Sequence, residues 1–315
     1  MLQSIFFISV SAEGETTSYE WEIKFLQTIG GIAQKYDAVK NVTRSEFCKM
    51  TAEILHPDMT ISKAGKGEIL FQDVTGETKS ADYIKFCKEL GYISGDRENR
   101  FYPEREITGY EAAVILINAL QYTRLAQAKG GYPTGYLSTA YEIGLTKGVS
   151  VNSGTVSGGA AAKLFYNALF ADLVVVGQVS EAHIGLTVDS DSNLLKERYH
   201  IEEYDAQVVD NGITSLTGES IHESQYIVLR LPDGNMLKVF DEKEQCAGYL
   251  GSRLKIYIHN NQEQDRRELV LFSIHTSSQE VTLQASDILS MTETQVRYEK
   301  EKDSGKELKL SFTAG

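Results

Sequence analysis

The chain has 315 residues, 42% hydrophobic and 24% charged, with a formal net charge of −13. That length allows two or three domains, each with a core of its own. The charge is lopsided: residues 1–170 carry 17 Lys/Arg against 19 Asp/Glu, whereas residues 171–315 carry 14 against 25. A boundary near 170–180 is therefore expected. The absence of a basic stripe argues against nucleic acid as a partner, because phosphate contacts need clustered cations.

Residues 4–10, S-I-F-F-I-S-V, form a short apolar run followed by small residues at Ser11-Ala12. No basic segment precedes it, so residues 1–15 read as a clipped signal peptide, a first β-strand or a disordered end. No other stretch approaches the ~18 apolar residues a membrane span requires, so no span is expected. A helix is expected over 19–33, offering Trp21, Ile23, Phe25, Leu26 and Ile29 to a core and ending or kinking at Gly30-Gly31.

Residues 42–47, V-T-R-S-E-F, hold a capping box: the Thr43 hydroxyl can accept from the Glu46 N–H while the Glu46 carboxylate reaches back to the Thr43 N–H. The helix it opens presents Phe47, Met50, Thr51, Ile54 and Leu55 and stops before Pro57. A loop over 59–68 follows. Residues 71–120 then read as F-Q-D-V, a helix over 81–90, a turn marked by Gly91 and Gly95, an extended F-Y-P, and a second capping box at Thr108 and Glu111. The apolar run 112–120 says that the helix over 109–122 is buried on most sides. A third version has helices over 135–143 and 158–170, with Ser157 at the cap and Ala160 in place of the carboxylate. Tyr83, Gly91 and Gly95 recur at the same spacing as Tyr136, Gly144 and Gly148. This is an internal repeat, and helical hairpins of this size bury their apolar faces only against one another.

From Leu173 the periodicity changes. A strand is expected over 173–179 and a short helix over 194–201 behind an Asp191/Asn193 cap. Strands then follow over 204–209, 226–231, 236–240, 254–258 and 268–275, with turns at Asn211-Gly212 and Pro232-Asp233-Gly234. Five short strands suggest a small barrel over about 200–278. Ile227, Leu229 and Leu231 should face inward, together with Leu237 and Val239, since the alternate faces carry Arg230 and Lys238. Runs over 280–288, 295–300 and 308–312 look like further strands, which either pair back on the barrel or belong to another β-domain. The fold class is thus multidomain. An all-α three-repeat module occupies 16–172, with repeats at about 16–60, 71–122 and 131–170. A β-barrel domain with a short helix follows over 173–278, then additional strands over 279–315.

Phe71-Gln72-Asp73-Val74, Gly91-Tyr92-Ile93-Ser94-Gly95, Phe101-Tyr102-Pro103 and Ile107-Thr108-Gly109-Tyr110-Glu111 resemble the S-layer homology family, as does Val42-Thr43-Arg44-Ser45-Glu46-Phe47. The likeness is nearly complete in the second repeat, blurred in the first and most decayed in the third. It implies a surface protein of a Gram-positive cell, attached to anionic cell-wall polysaccharide or acting as surface-layer scaffolding, with other surface proteins as further partners. It also implies Arg44, Asp73 and Glu46 as the polysaccharide-binding set. A guanidinium at a helix N-terminus suits an anion, since fork and dipole both favour it. The family arginine is replaced at the other two positions by Gly109 and Gly158. Taken alone, Arg44 could equally be a surface residue, Asp73 a helix cap and Trp21 a core residue.

Enzyme signatures are not found. The six histidines form no H-E-x-x-H, Gly154–Gly158 misplaces the serine of a nucleophile elbow, and the Asp189–Asn193 run lacks the glycine and glutamate of a calcium loop. No catalytic residue, metal or cofactor is expected, and Cys48, Cys87 and Cys246 read as buried small hydrophobes. The alternatives are a fragment of a secreted carbohydrate-active enzyme lacking its catalytic domain, and an interaction platform that binds no glycan.

Overall fold

Three capped helices organise the first half of the computed structural model, which describes residues 19–180, 183–274, 288–292, 295–299 and 307–311. Helix α2 (Arg44–Leu55) starts at Thr43 and helix α4 (Gly109–Ala119) at Thr108, each with both hydrogen bonds of the capping box. Helix α7 (Gly158–Phe170) starts at Ser157, whose hydroxyl accepts from the Ala160 N–H. The residues just ahead of the caps close a ring. Val42 N–H donates to the Val156 carbonyl, Val156 N–H to Ile107 and Ile107 N–H to Val42, at 2.9, 3.0 and 2.9 Å. All three side chains are buried. Outside this ring the first N–H of each helix donates to a loop of another segment: Arg44 to the Arg105 carbonyl, Gly109 to Gly154 and Gly158 to Lys40. Orphan donors at three helix starts are thereby satisfied by one cyclic arrangement.

The remaining helices follow the same cycle. Helix α3 (Ala81–Glu89) packs on α2, α6 (Thr134–Glu142) on α4, and α1 (Glu20–Thr28) on α7. Each central helix is therefore covered by a helix from a different stretch of chain, and the apolar cluster runs through all of them. Phe25 and Leu26 are fully buried; Ile23 and Ile29 lie at the edge of the cluster. Helix α1 ends at Thr28 rather than continuing to 33, because Gly30 takes φ 78°. A short helix α5 (Thr123–Ala128), which the periodicity does not reveal, leads into α6.

The module is not all-α: β1 (Ile69–Phe71) and β2 (Val74–Thr75) form a small antiparallel hairpin. Phe71 and Val74 are buried, and Gln72-Asp73 make the turn between them. Three residues and two are too short to carry a readable alternation.

Strand β3 (Asp172–Ser180) pairs antiparallel with β4 (His183–Asn193), which the sequence pattern does not announce. Asn193 then caps α8 (Leu194–Tyr199), accepting from the Lys196 N–H at 3.0 Å. Strands β5 (Ile201–Asp210), β6 (Tyr226–Arg230), β7 (Met236–Phe240), β8 (Arg253–Asn261) and β9 (Arg266–Ile274) close into a barrel in the order β5-β6-β7-β9-β8. The β7–β9 contact is parallel and the other pairs are antiparallel, the connectivity of OB-type barrels. Ile227, Leu229 and Val239 lie in the barrel core, with Leu231 and Leu237 packed at its edge, so the inward faces are those expected.

The barrel sits against the helices through aromatic contacts. Tyr257 is fully buried in the helical module's apolar cluster, edge-on to Phe25 at 5.0 Å, with its hydroxyl 3.1 Å from that of Tyr166. Trp21, partly buried at the edge of the cluster, approaches the same ring at 6.1 Å. Tyr199 donates to the Ile54 carbonyl at 2.8 Å. Strands β10 (Ile288–Thr292), β11 (Gln295–Glu299) and β12 (Glu307–Ser311) form a separate antiparallel meander. Residues 1–15, expected as a clipped signal peptide or an irregular start, and most of the run over 280–288 lie outside the described residues.

Candidate functional site

Arg44 is the first residue of α2, and its backbone is clasped to the Arg105 carbonyl, so its side chain leaves the helix toward the loop between Gly91 and Glu106. Its Nε donates to the Phe101 carbonyl at 2.8 Å and its Nη1 to Glu111 Oε1 at 2.8 Å. The guanidinium also lies over the Phe101 ring, 4.4 Å from the centroid. Burial disfavours its charge and Glu111 opposes that effect. Glu111 is thus shared: one oxygen receives Arg44 and Arg105, the other closes the α4 capping box at Thr108. Burial by itself would raise its carboxyl pKa, but Arg105, the Thr108 N–H and Arg44 outweigh burial and hold it low.

This network forms one wall of a cleft of about 430 Å³. Arg100 and Arg105 add two further guanidinium groups, opposed by Asp96 and Glu111, so the lining carries one excess positive charge. Tyr102 and Tyr132 border it with 40% and 63% of their surfaces exposed. Tyr102 adopts φ 57°, a left-handed conformation that a bulky side chain takes only when its surroundings enforce it. Asp73 is the enforcing group: its two oxygens accept from the Phe101 and Tyr102 N–H groups at 2.8 and 2.6 Å. The Tyr102 hydroxyl donates to Asp96 at 2.9 Å, fixing the ring from its other end. Guanidinium groups, a carboxylate pair and exposed rings in one cleft can hold an acidic group while an apolar sugar face rests on tyrosine.

Of the three residues the sequence singles out, only Arg44 lines the cleft. Asp73 does not cap the following helix, whose N-cap is Ser80; it braces the loop that presents Tyr102. Glu46 completes the α2 capping box and pairs with Lys40 at 2.8 Å. Burial works against its charge, yet Lys40 and the Thr43 N–H hold its pKa below the usual carboxylate range. Sequence reasoning missed Arg105, Arg100, Tyr102 and Tyr132. Only the F-Y-P-E-R run, with two exposed groups three residues apart beside a motif proline, offered a signal.

Gly109 and Gly158, the first residues of α4 and α7, are closed to any side chain. A Cβ on Gly109 would lie 2.7 Å from the backbone N and O of Asn152. On Gly158 it would lie 2.1 Å from the Asp37 carbonyl oxygen. At Arg44 the equivalent clasp leaves room for a side chain; at the glycines the loop backbone occupies that room.

The S-layer homology domain matches residues 70–113 of this chain. The chain is also 23% identical over 159 residues to a middle cell wall protein of Brevibacillus brevis, covering 49% of this chain and 15% of that protein. It is 22% identical over 153 residues to a surface layer protein of Brevibacillus choshinensis, covering 45% and 13%. The matched stretch is thus about a seventh of either relative. No helix among the described residues is long and apolar enough to cross a membrane.

Proposed function

We propose, from the premise that residues 70–113 are an S-layer homology domain, that this chain is a non-catalytic cell-surface protein that attaches to the wall through anionic polysaccharide. The three capped segments are read as three repeats of one module, and the cleft beside Arg44 as the surviving binding groove. The observation that carries the reading is the convergence of Arg44, Arg100 and Arg105 with exposed Tyr102 and Tyr132 in that cleft. Arg44 and Arg105 would engage the acidic group while Tyr132 stacks on a sugar ring. Asp73 and Glu46 would act indirectly, by holding Tyr102 and the α2 cap.

Co-sedimentation of the purified chain with isolated Gram-positive walls tests this. Arg105→Ala and Tyr132→Ala remove half-exposed groups and should weaken binding without unfolding the protein. Arg44→Ala should cost about 1.5–3 kcal/mol of binding, the scale of a charge-assisted hydrogen bond. Arg44→Lys should restore part of it, since a point charge lacks the planar fork. Absence of the parent chain from the wall pellet, or unchanged binding in both Arg105→Ala and Tyr132→Ala, would defeat the reading.

A second reading is favoured by the commitment of Arg44 to Glu111 and Phe101, and by the closed positions at Gly109 and Gly158. There the module is a protein–protein platform of the surface layer. Walls from which polysaccharide has been extracted decide between the two: retained binding supports the platform, lost binding the glycan.

A further inference from the structure

The outer face of the barrel carries a second polar cleft, of about 440 Å³, that neither the fold nor the wall-binding reading uses. It lies where β6 and β7 meet the β8–β9 hairpin, and Tyr226, Lys238, Asn260, Asn261, Arg266 and Arg267 contribute to its lining. Ile227, Leu229 and Val239 point to the barrel core, so Tyr226, Lys238 and Phe240 stand on the opposite side of their strands. There they form a continuous row. The Lys238 ammonium sits 4.4 Å from the centre of the Tyr226 ring, Tyr226 lies 5.2 Å from Phe240, and the Arg266 guanidinium covers Phe240 at 3.9 Å.

The row fixes two cations at set positions before any ligand arrives. Lys238 is steadied further by Glu223 at 2.7 Å and Arg266 by Glu268 at 2.7 Å. The adjoining hairpin supplies planar amides: Asn261 is held by Glu268 at 3.1 Å and Asn260 by Glu202 at 2.9 Å, while Gln262 is exposed. Three cations thus line one cleft in a half of the chain whose net charge is strongly negative. Asp265 is the carboxylate among the lining residues.

We propose that this cleft is a carbohydrate-binding site for a sugar chain bearing isolated carboxylate or phosphate groups. Planar amides and guanidinium groups pair with vicinal hydroxyls and with acidic substituents. Glu223 and Glu268 offset two of the cations, which suits a sparsely charged polymer and disfavours a nucleic acid, whose phosphates need an uncompensated basic track. The site is separate from the Arg44 cleft and does not depend on that reading.

Hydroxyl-radical footprinting of the full chain reads both clefts in one experiment. The probes are hyaluronate oligomers, whose carboxylates alternate with neutral sugars, phosphomannan for phosphate, neutral dextran and oligo(dT). Hyaluronate or phosphomannan should protect Tyr226 and residues 260–267, and dextran and oligo(dT) should not. Lys238→Glu with Arg267→Glu, both at exposed side chains, should weaken that protection at least tenfold while leaving any protection at Tyr132 unchanged. The milder Lys238→Ala with Arg267→Ala should show the same loss in part, and its thermal melt guards against a folding artefact. The proposal is overturned if neither acidic polymer protects the barrel residues, or if their protection survives both double variants. It is also overturned if oligo(dT) protects them in place of the sugars. Loss of protection at Tyr132 alone would count against the wall-binding cleft and leave the barrel site standing.

Discussion

Gly158→Ala places a methyl group 2.1 Å from the Asp37 carbonyl oxygen, roughly 1 Å inside the closest ordinary carbon–oxygen approach. The helix cannot retreat, because Ser157 caps it and Val156 belongs to the ring with Val42 and Ile107. The loop must therefore move. It carries the acceptors for the first two N–H groups of α7, Gly158 to Lys40 and Gly159 to Ala38, both at 2.8 Å. Losing them costs about 1 kcal/mol each, and the residual overpacking about 1–3 kcal/mol. Against this stands a gain of up to about 1 kcal/mol from replacing glycine in a helix. The net expectation is a loss of about 2–4 kcal/mol. Urea denaturation followed by far-ultraviolet circular dichroism measures it. The sign is the informative result, since without the loop contact the same change stabilises by about 0.4–1 kcal/mol. An unchanged or raised midpoint refutes the closed clasp. Gly109→Ala, with its nearest atoms at 2.7 Å, should lose less.

Other expectations follow from the same geometry. A fragment ending at residue 125 lacks α7, which covers α1, and α6, which covers α4, so Phe25 and Leu26 lose their cover; a cooperative melt near that of the intact module would contradict the shared core. His56, partly buried near Arg198 with its Nε2 at 3.0 Å from the Tyr92 hydroxyl, has its pKa pushed down to about 4, by burial first and Arg198 second. The unfolded chain then takes up this proton at a higher pH than the native one, so the contribution is complete above about pH 6.5 and is lost as pH falls toward 4. Discounted for solvent access, it amounts to about 1–2 kcal/mol. His56→Gln should flatten the stability profile between pH 6.5 and 5, and an unaltered slope would remove His56 as the cause. Gly234 has φ 87° in the β6–β7 turn, so Gly234→Val should cost more than about 1 kcal/mol by thermal melt, and an unshifted melt would deny the strain.

The features that could be read without coordinates are those in which cause and effect lie a few residues apart. Thr43 with Glu46, Thr108 with Glu111, and Ser157 each name a helix start because a side chain and the N–H it satisfies are three positions apart. Ile227 and Leu229 announce the inner face of β6 because strand alternation has a period of two. The short hairpin of β1 and β2 and the single-turn-scale helix α5 escaped notice because neither is long enough to show a period.

What the chain order could not reveal is everything that depends on which distant backbone arrives beside which side chain. Val42, Ile107 and Val156 close a ring across more than a hundred residues, and no local pattern marks that they meet. Arg44 stands out in the sequence as a free cation at a helix start, yet Glu111 and the Phe101 carbonyl engage it. Asp73 stands out as a cap, yet it holds Tyr102 in a left-handed turn. Gly109 and Gly158 look like lost arginines; the structure shows loop backbone in the space those side chains would need. Residue type limits what a position can do, because it sets charge, size and allowed φ. Long-range packing selects among those possibilities, because only the folded chain brings the Asp37 carbonyl to Gly158, Phe25 to Tyr257 and Arg105 to Glu111.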